Sequence, residues 1–379
     1  MFIPTIDPTI SSTIIAWYDL NHRHLPWRKT FDPYRIWLSE IILQQTRVAQ
    51  GMDYYLRFVE HYPTVADLAA APLDDVMKLW QGLGYYSRAR NLHTAARQVV
   101  DLFGGNFPTH YKELLTLKGV GPYTAAAIAS FTSGEAVAVV DGNVYRVIAR
   151  LFDIDTPIDT PQGVKLFQNM ADALLDPRQA GRHNQAMMEF GALQCTPSSP
   201  RCEDCPLQER CASRANSTIE NRPLKQQKIK VQNRTLHYLI IHHDGQMLIH
   251  RRDDADIWQG LYDFVLIEKE SDTQPTELLQ EALSPAAIEA IESVTPLLMG
   301  HRHRLTHRLL TCHFFFIDCR RLLTSEDFTP DYKRDYRAIN VSDWSSYATP
   351  KPISELNKIL FKHFGCERQN NSIHLHKTQ

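Results

Sequence analysis

Four of the chain's seven cysteines fall within seventeen residues, in the pattern Cys195-x6-Cys202-x2-Cys205-x5-Cys211. One short loop thereby supplies four soft ligands, which suits an iron–sulfur cluster or a tetrahedral zinc ion and argues against magnesium or calcium. Zinc ribbons usually present two separated Cys-x2-Cys knuckles. Here there is one such pair with uneven outer spacing, which favours the cluster and leaves structural zinc or buried free thiols as alternatives. Thiols crowded in this way also point to a reducing compartment rather than to disulfides. Arg201 and Arg210 share the loop, so a basic surface held rigid by the metal could meet phosphates.

Two carboxylates stand out. Glu40 sits in Ile36-Trp37-Leu38-Ser39-Glu40-Ile41-Ile42-Leu43-Gln44-Gln45-Thr46, where its neighbours at helical spacing are Ile36, Trp37, Leu43 and Gln44. An acid among large apolar groups is desolvated and tends to stay protonated, as a general acid must; the plainer alternative is a solvated helix residue. Asp141 sits in Val137-Ala138-Val139-Val140-Asp141-Gly142-Asn143-Val144, at the opening of a helical run, where a simple N-cap would suffice. Hydrolysis at an anomeric carbon passes through an oxocarbenium-like state that one carboxylic acid and one carboxylate can serve together. Spacing along the chain leaves open whether these two meet in space.

A third motif, Leu117-Lys118-Gly119-Val120-Gly121-Pro122-Tyr123-Thr124-Ala125, follows one helical segment and opens another, Ala125 to Ser130. Gly119 and Gly121 permit a tight turn and Pro122 suits a first helical turn. Backbone N–H groups of Gly119, Val120 and Gly121 would then face outward as an anion site, the arrangement of a helix-hairpin-helix clamp on DNA phosphate. An ordinary turn between two helices is the alternative, and the full string is more specific than a lone Gly-x-Gly.

The elements that must position these groups are mostly helical. From about Ile10 to Ala212, apolar residues recur at three and four spacing between Pro and Gly breaks, as in Leu73 to Trp80, Ala89 to Phe103 and Val164 to Leu175. Between Ser213 and Arg234 there are six Lys or Arg against one acidic residue and little apolar periodicity, which reads as a solvated basic linker. Beyond it, Leu236 to Ile241, Met247 to His250, Phe264 to Ile267 and Thr311 to Asp318 read as strands, and Thr276 to Leu283 and Ser354 to Phe364 as helices. The predicted organisation is a helical domain over 1–222 with a helix-hairpin-helix at about 111–130 and a metal loop at 195–211. A linker over 223–233, an α+β domain over 234–365 and a polar tail over 366–379 complete it. The 379 residues exceed one ordinary core. A net charge of −2 confines any nucleic-acid binding to local basic faces. No apolar run is long enough to cross a bilayer and the start, Met1 to Ser12, lacks signal-peptide features, so the expectation is a cytoplasmic, DNA-associated monomer without membrane contact.

Taken together, these strings resemble the MutY family of adenine DNA glycosylases within the endonuclease III, helix-hairpin-helix superfamily. The likeness runs from about Trp17 to Cys211. It includes Leu25-Pro26-Trp27-Arg28, Trp37-Leu38-Ser39-Glu40, Leu43-Gln44-Gln45-Thr46, Gly82-Leu83-Gly84-Tyr85-Tyr86, Asp141-Gly142-Asn143-Val144 and Asn184-Gln185-Ala186-Met187-Met188-Glu189, besides the cysteines. The resemblance implies a [4Fe–4S] cluster, Glu40 protonating the departing adenine at N7, and Asp141 stabilising the sugar cation. It implies that Tyr123 and Asn143 orient them, that Arg28, Leu43 and Glu189 line the adenine pocket, and that Gln45 and Tyr85 wedge into the helix the base has left. An unaided reading would make Tyr85 core packing. Superfamily members that also cleave the strand carry a Lys two residues after Gly-Val-Gly. Tyr123 occupies that position, so a monofunctional enzyme is expected.

The second domain resembles the Nudix-like domain of the same family, chiefly through Trp258-Gln259-Gly260-Leu261-Tyr262-Asp263-Phe264. It lacks an Arg-Glu-x-x-Glu-Glu array for Mg²⁺, which argues against pyrophosphate hydrolysis. The family's Phe-Ser-His loop for 8-oxoguanine corresponds to Leu305-Thr306-His307, with Thr306 and His307 as lesion contacts; a plain surface histidine is the alternative for His307. The expected partner is double-stranded DNA with A:8-oxoguanine or A:G mispairs. Rival functions are an endonuclease III-like glycosylase and lyase, disfavoured by Tyr123 and the second domain, and a non-catalytic Fe–S DNA-binding protein, disfavoured by Glu40 and Asp141.

Overall fold

The computed structural model describes residues 7–226, 231–253, 257–269, 273–363, 368–369 and 372–373. Cys366, Phe364, Met1 to Ile6 and most of the polar tail read over 366–379 lie outside them. The three-and-four periodicity becomes helices α1 (Thr9–Asn21), α2 (Pro33–Leu43), α3 (Val48–His61), α4 (Val65–Ala70), α5 (Leu73–Leu79), α6 (Ser87–Phe103), α7 (Tyr111–Leu114), α8 (Pro122–Thr132), α9 (Gly142–Leu151), α10 (Pro161–Leu174), α11 (Ala180–Leu193) and α12 (Ala212–Ala215). Their starts are chemically marked. Asp32 and Thr160 cap α2 and α10 through their side chains, and Pro33, Pro122 and Pro161 each occupy a first turn. No helix among the described residues is long and apolar enough to cross a membrane.

The chain divides into two units, Met1–Ala71 with Asn91–Lys228, and Pro72–Arg90 with Ile229–Gln379. In the first, α1, α9, α10 and α11 share a core that includes Ile14, Ile148, Phe167 and Phe190. Helix α2 is buried on every side from Ile36 to Ile42, as expected of a helix apolar all round, and it carries Glu40 into the interior. The stretch after α12 is mostly exposed, as expected of a solvated linker, yet it is tied down as far as Gln226. Ser213, Asn216 and Thr218 donate hydrogen bonds to Asp153, Arg222 pairs with it at 2.9 Å, and the Ile158 N–H donates to the Leu224 carbonyl. Polar side chains can be fixed by a distant carboxylate without any apolar period, so periodicity alone misses such anchoring.

The second unit holds strands β1 (Gln232–His243), β2 (Gln246–Arg251), β3 (Tyr262–Asp263), β4 (Val265–Lys269), β5 (Ile291–Arg304), β6 (Arg308–Cys319) and β7 (Arg337–Asn340), with α13 (Pro275–Ala282), α14 (Pro285–Glu289) and α15 (Lys351–His363). The order β3-β2-β1-β6-β5 places β1 parallel to β6, while β4 and β7 pair antiparallel with β1 and β2. Helices pack on a mixed sheet, an α+β arrangement. Strand β1 is buried on both faces, with Leu236, Tyr238 and Ile240 in one core and Leu239 and Ile241 in the other. The predicted strands fall in β1, β2, β4 and β6, except that Phe264 lies just before β4. Strand β5 has no counterpart in the sequence reading, because Pro296, Gly300 and three register irregularities break its alternation.

Candidate active site

Glu40, near the end of α2, is buried among the apolar residues that flank it in sequence. Burial pushes its carboxyl up to about 7; the nearby negative charge of Asp141 adds to this, while a hydrogen bond from Tyr123 and the Arg28 charge oppose it. The Tyr123 hydroxyl donates to Glu40 Oε2 at 2.5 Å, and burial raises Tyr123 far above the usual phenol range, so it stays a donor. Residues from α2, α8 and the start of α9 thus converge, and the two carboxylates of the sequence reading are close enough to feel each other's charge.

Asp141 is an N-cap, and more. Its Oδ1 accepts from the Asn143 and Val144 backbone N–H groups at 2.9 and 2.8 Å, and its Oδ2 accepts from Asn143 Nδ2 at 2.7 Å. Burial raises its pKa against these bonds and the Arg146 charge. Asn143 is held in turn by Arg146, whose guanidinium donates to Asn143 Oδ1, to the Gly191 carbonyl and to the Cys195 carbonyl. Arg146 was not singled out from sequence, although its place three residues after Asn143 on one helix puts the two side by side.

The four cysteines line one cavity of about 40 Å³ beside Arg150 and Arg214. Among the described residues no group of three or more His, Cys, Asp or Glu is placed to hold a single metal ion. Four thiols that share one cavity fit a polynuclear iron–sulfur cluster, in which each iron takes its own thiolate. Arg150 complements the negative charge of such a cluster: it donates to Cys195 Sγ at 3.5 Å and to the Thr196 and Pro197 carbonyls.

Glu189, on α11, is also buried, with the opposite outcome from Glu40. Burial raises its pKa, but bonds from Arg23 and Arg28 overcome this and hold it at about 2. Arg23 grips both carboxylate oxygens, at 2.8 and 2.6 Å, and Arg28 donates to Oε2 at 2.8 Å while lying over the Tyr18 ring. The sequence reading named Arg28 and Glu189 and missed Arg23, for which proximity to the Leu25-Pro26-Trp27-Arg28 block was the available signal. Leu43 closes α2, half-buried. Gln45, two residues on, is exposed with a left-handed backbone at φ 54°, a conformation that costs a side-chain-bearing residue about 1–3 kcal/mol.

The hairpin of the sequence reading forms, with its second helix opening at Pro122 rather than Ala125. Gly119 has φ 76°, and a Cβ there would come within 2.8 Å of Asn91 Cβ, so only glycine fits. Gly121 is the N-cap of α8 and leaves that helix's first N–H groups without a side-chain cap.

In the second unit, Tyr85 is 46% exposed, which rules out core packing, and has φ 48°. Its hydroxyl lies 2.5 Å from Thr306 Oγ1. Thr306 and His307 are exposed at the tip of the β5–β6 hairpin, whereas Leu305 packs against the core.

Comparison with known proteins agrees with this architecture. Residues 38–169 match the HhH-GPD superfamily of base excision DNA repair proteins, residues 195–211 the iron–sulfur binding domain of endonuclease III, and residues 237–358 the NUDIX domain. The chain is 34% identical to an adenine DNA glycosylase of Buchnera aphidicola subsp. Baizongia pistaciae over 262 residues, covering 69% of this chain and 74% of that one. It is 42% identical to the Homo sapiens adenine DNA glycosylase over 221 residues, 56% of this chain and 40% of the human one, so the match spans less than half of that protein. Among solved structures, a thermostable thymine-DNA glycosylase is similar at a TM-score of 0.51 and 32% identity, over 55% of this chain and 96% of its own.

Proposed function

The chain belongs to the adenine DNA glycosylase family, and on that premise we propose that it is a monofunctional enzyme excising adenine opposite 8-oxoguanine or guanine. It is a DNA glycosylase of base excision repair that carries a [4Fe–4S] cluster. In the proposed reaction Glu40 donates its proton to adenine N7, and the glycosidic bond breaks with its electron pair leaving on the base. The Asp141 carboxylate stabilises the sugar cation, and water adds to it with loss of a proton, leaving an abasic site. Tyr123 and Asn143 orient the two acids. Tyr123 also stands where a lyase has its amine, so no imine forms.

Arg28, Leu43 and Glu189 line the adenine pocket, the ionised Glu189 accepting from the base. Gln45 and Tyr85 fill the space the base vacates, Gly119, Val120 and Gly121 bind phosphate, and Thr306 and His307 read the opposite base. Cys195, Cys202, Cys205 and Cys211 hold the cluster, which serves to rigidify its loop. The working form is a monomer acting where the DNA is, with a helical domain over 1–222, a linker over 223–233 and a lesion-reading domain over 234–365.

The observation that carries the reading is a buried Glu40 raised to about 7 beside the charge of Asp141. Single-turnover excision on duplexes with A opposite 8-oxoguanine, G, C and T tests it. Glu40→Gln and Asp141→Asn should each remove nearly all excision while DNA binding survives, and borohydride should trap no covalent complex. Normal rates in either variant would refute the roles given, and trapping abolished by Lys118→Ala would show that the nucleophile had been misplaced.

A further inference from the structure

From Ser293 to Ile317 the chain carries three arginines, four histidines and no carboxylate, although its net charge is −2. These residues form most of β5 and β6 and the tip between them. The basic groups are sorted by face. His301 turns inward against Glu355 of α15 at 3.0 Å, and His303 turns inward beside Trp258. Arg302 and Arg304 alternate with them and are exposed. Among the described residues neither guanidinium has an ion-pair or hydrogen-bond partner, whereas Arg178, Arg182 and Arg320, also exposed, are each paired with a carboxylate. The tip also borders a groove of about 650 Å³ within this unit whose charged lining, Arg90, Arg304 and Arg308, is wholly basic.

We propose that Arg302 and Arg304 form a DNA-backbone contact, two guanidinium groups on one strand face that bind successive phosphates of the strand carrying the opposite base. Residues two apart on a strand share a face and lie about 6.8 Å apart, close to the separation of neighbouring phosphates in one DNA strand. A guanidinium suits phosphate oxygens through paired N–H donors. Such contacts set position and affinity and carry no sequence information, so they act differently from the hydroxyl and imidazole at the tip. The inference rests on the reading of Thr306 and His307 as what faces the opposite base, and the test separates the two.

The experiment is fluorescence anisotropy of the full-length, cluster-loaded protein on a duplex with a tetrahydrofuran abasic analogue opposite 8-oxoguanine, between 50 and 200 mM KCl. Each phosphate contact contributes about 0.9 to the slope of log affinity against log salt. The double variant Arg302→Ala with Arg304→Ala should therefore lower the slope by about 1.8, and its deficit against the parent should shrink about tenfold across that range. Its excision rate once bound, and its preference for A:8-oxoguanine over A:G, should match the parent. The double Lys variant should keep the slope, since it keeps the charge, and Arg320→Ala, at the far end of the hairpin and paired with Glu292, should keep it too. An unchanged slope in the Ala pair, an equal fall in Arg320→Ala, or a change of base preference in place of the slope would overturn the proposal. His307→Ala tests the other reading at fixed salt. If it leaves preference intact while the arginine pair lowers the slope, the tip does not read the base but the backbone contact stands.

Discussion

Two glutamates buried in the same unit end in opposite protonation states because of what stands next to them. Glu189 has two guanidinium groups and is held at about 2, while Glu40 has a phenol, a neighbouring carboxylate and apolar walls and is raised to about 7. If protonated Glu40 is the general acid, single-turnover excision should fall as pH rises through about 7, tending to tenfold per unit beyond it. Tyr123 donates to Glu40 and so favours its charged form. Tyr123→Phe should accordingly raise the Glu40 pKa and shift the alkaline limb to higher pH, whatever it does to the plateau. A pH–rate profile of the two proteins decides this, and a limb that stays in place would mean that another group titrates. The burial of Glu40 was legible from its apolar neighbours. The grip of Arg23 on Glu189 was not, because nothing local marks a pair 166 residues apart.

At the scale of elements, the geometry of the proposed catalytic site depends on how closely α9 and α11 approach. A Cβ on Gly191 would lie 2.7 Å from Asn143 Cβ and 2.8 Å from its carbonyl oxygen, neither of which can yield without moving the N-terminus of α9, where Asp141 sits. Gly191→Ala should destabilise the protein by about 1–3 kcal/mol through overpacking and slow excision at saturating enzyme. Gly181→Ala, which would press on the Ser130 carbonyl instead, should destabilise without that loss of rate. Denaturant melts and single-turnover rates on both variants make the comparison; equal rate losses would show that α9 is not the sensitive element. Helices such as α9 were readable from their spacing and caps, whereas β5 was not, since a strand made irregular by bulges has no clean period.

For the molecule as a whole, the cysteine loop and helix α9 are one bonded structure through Arg146 and Arg150. Anaerobically purified protein should contain about four iron atoms per chain and a broad visible charge-transfer band. Cys202→Ser should lose iron and weaken DNA binding more than it slows excision by enzyme already bound. Stoichiometric zinc without iron would contradict this. The amino-acid sequence by itself determined whatever depends on neighbours a few residues apart: the helices and their caps, the turn at Gly119, the cysteine loop, the acid with apolar flanks and the change to strands beyond the basic linker. Only the tertiary structure decided which of these meet. Tyr123 reaches Glu40 across 83 residues and Tyr85 reaches Thr306 across 221. Local periodicity records which face of an element is apolar, but the partner that covers it, and hence the charge a buried acid carries, is settled by packing between elements that sequence spacing does not relate.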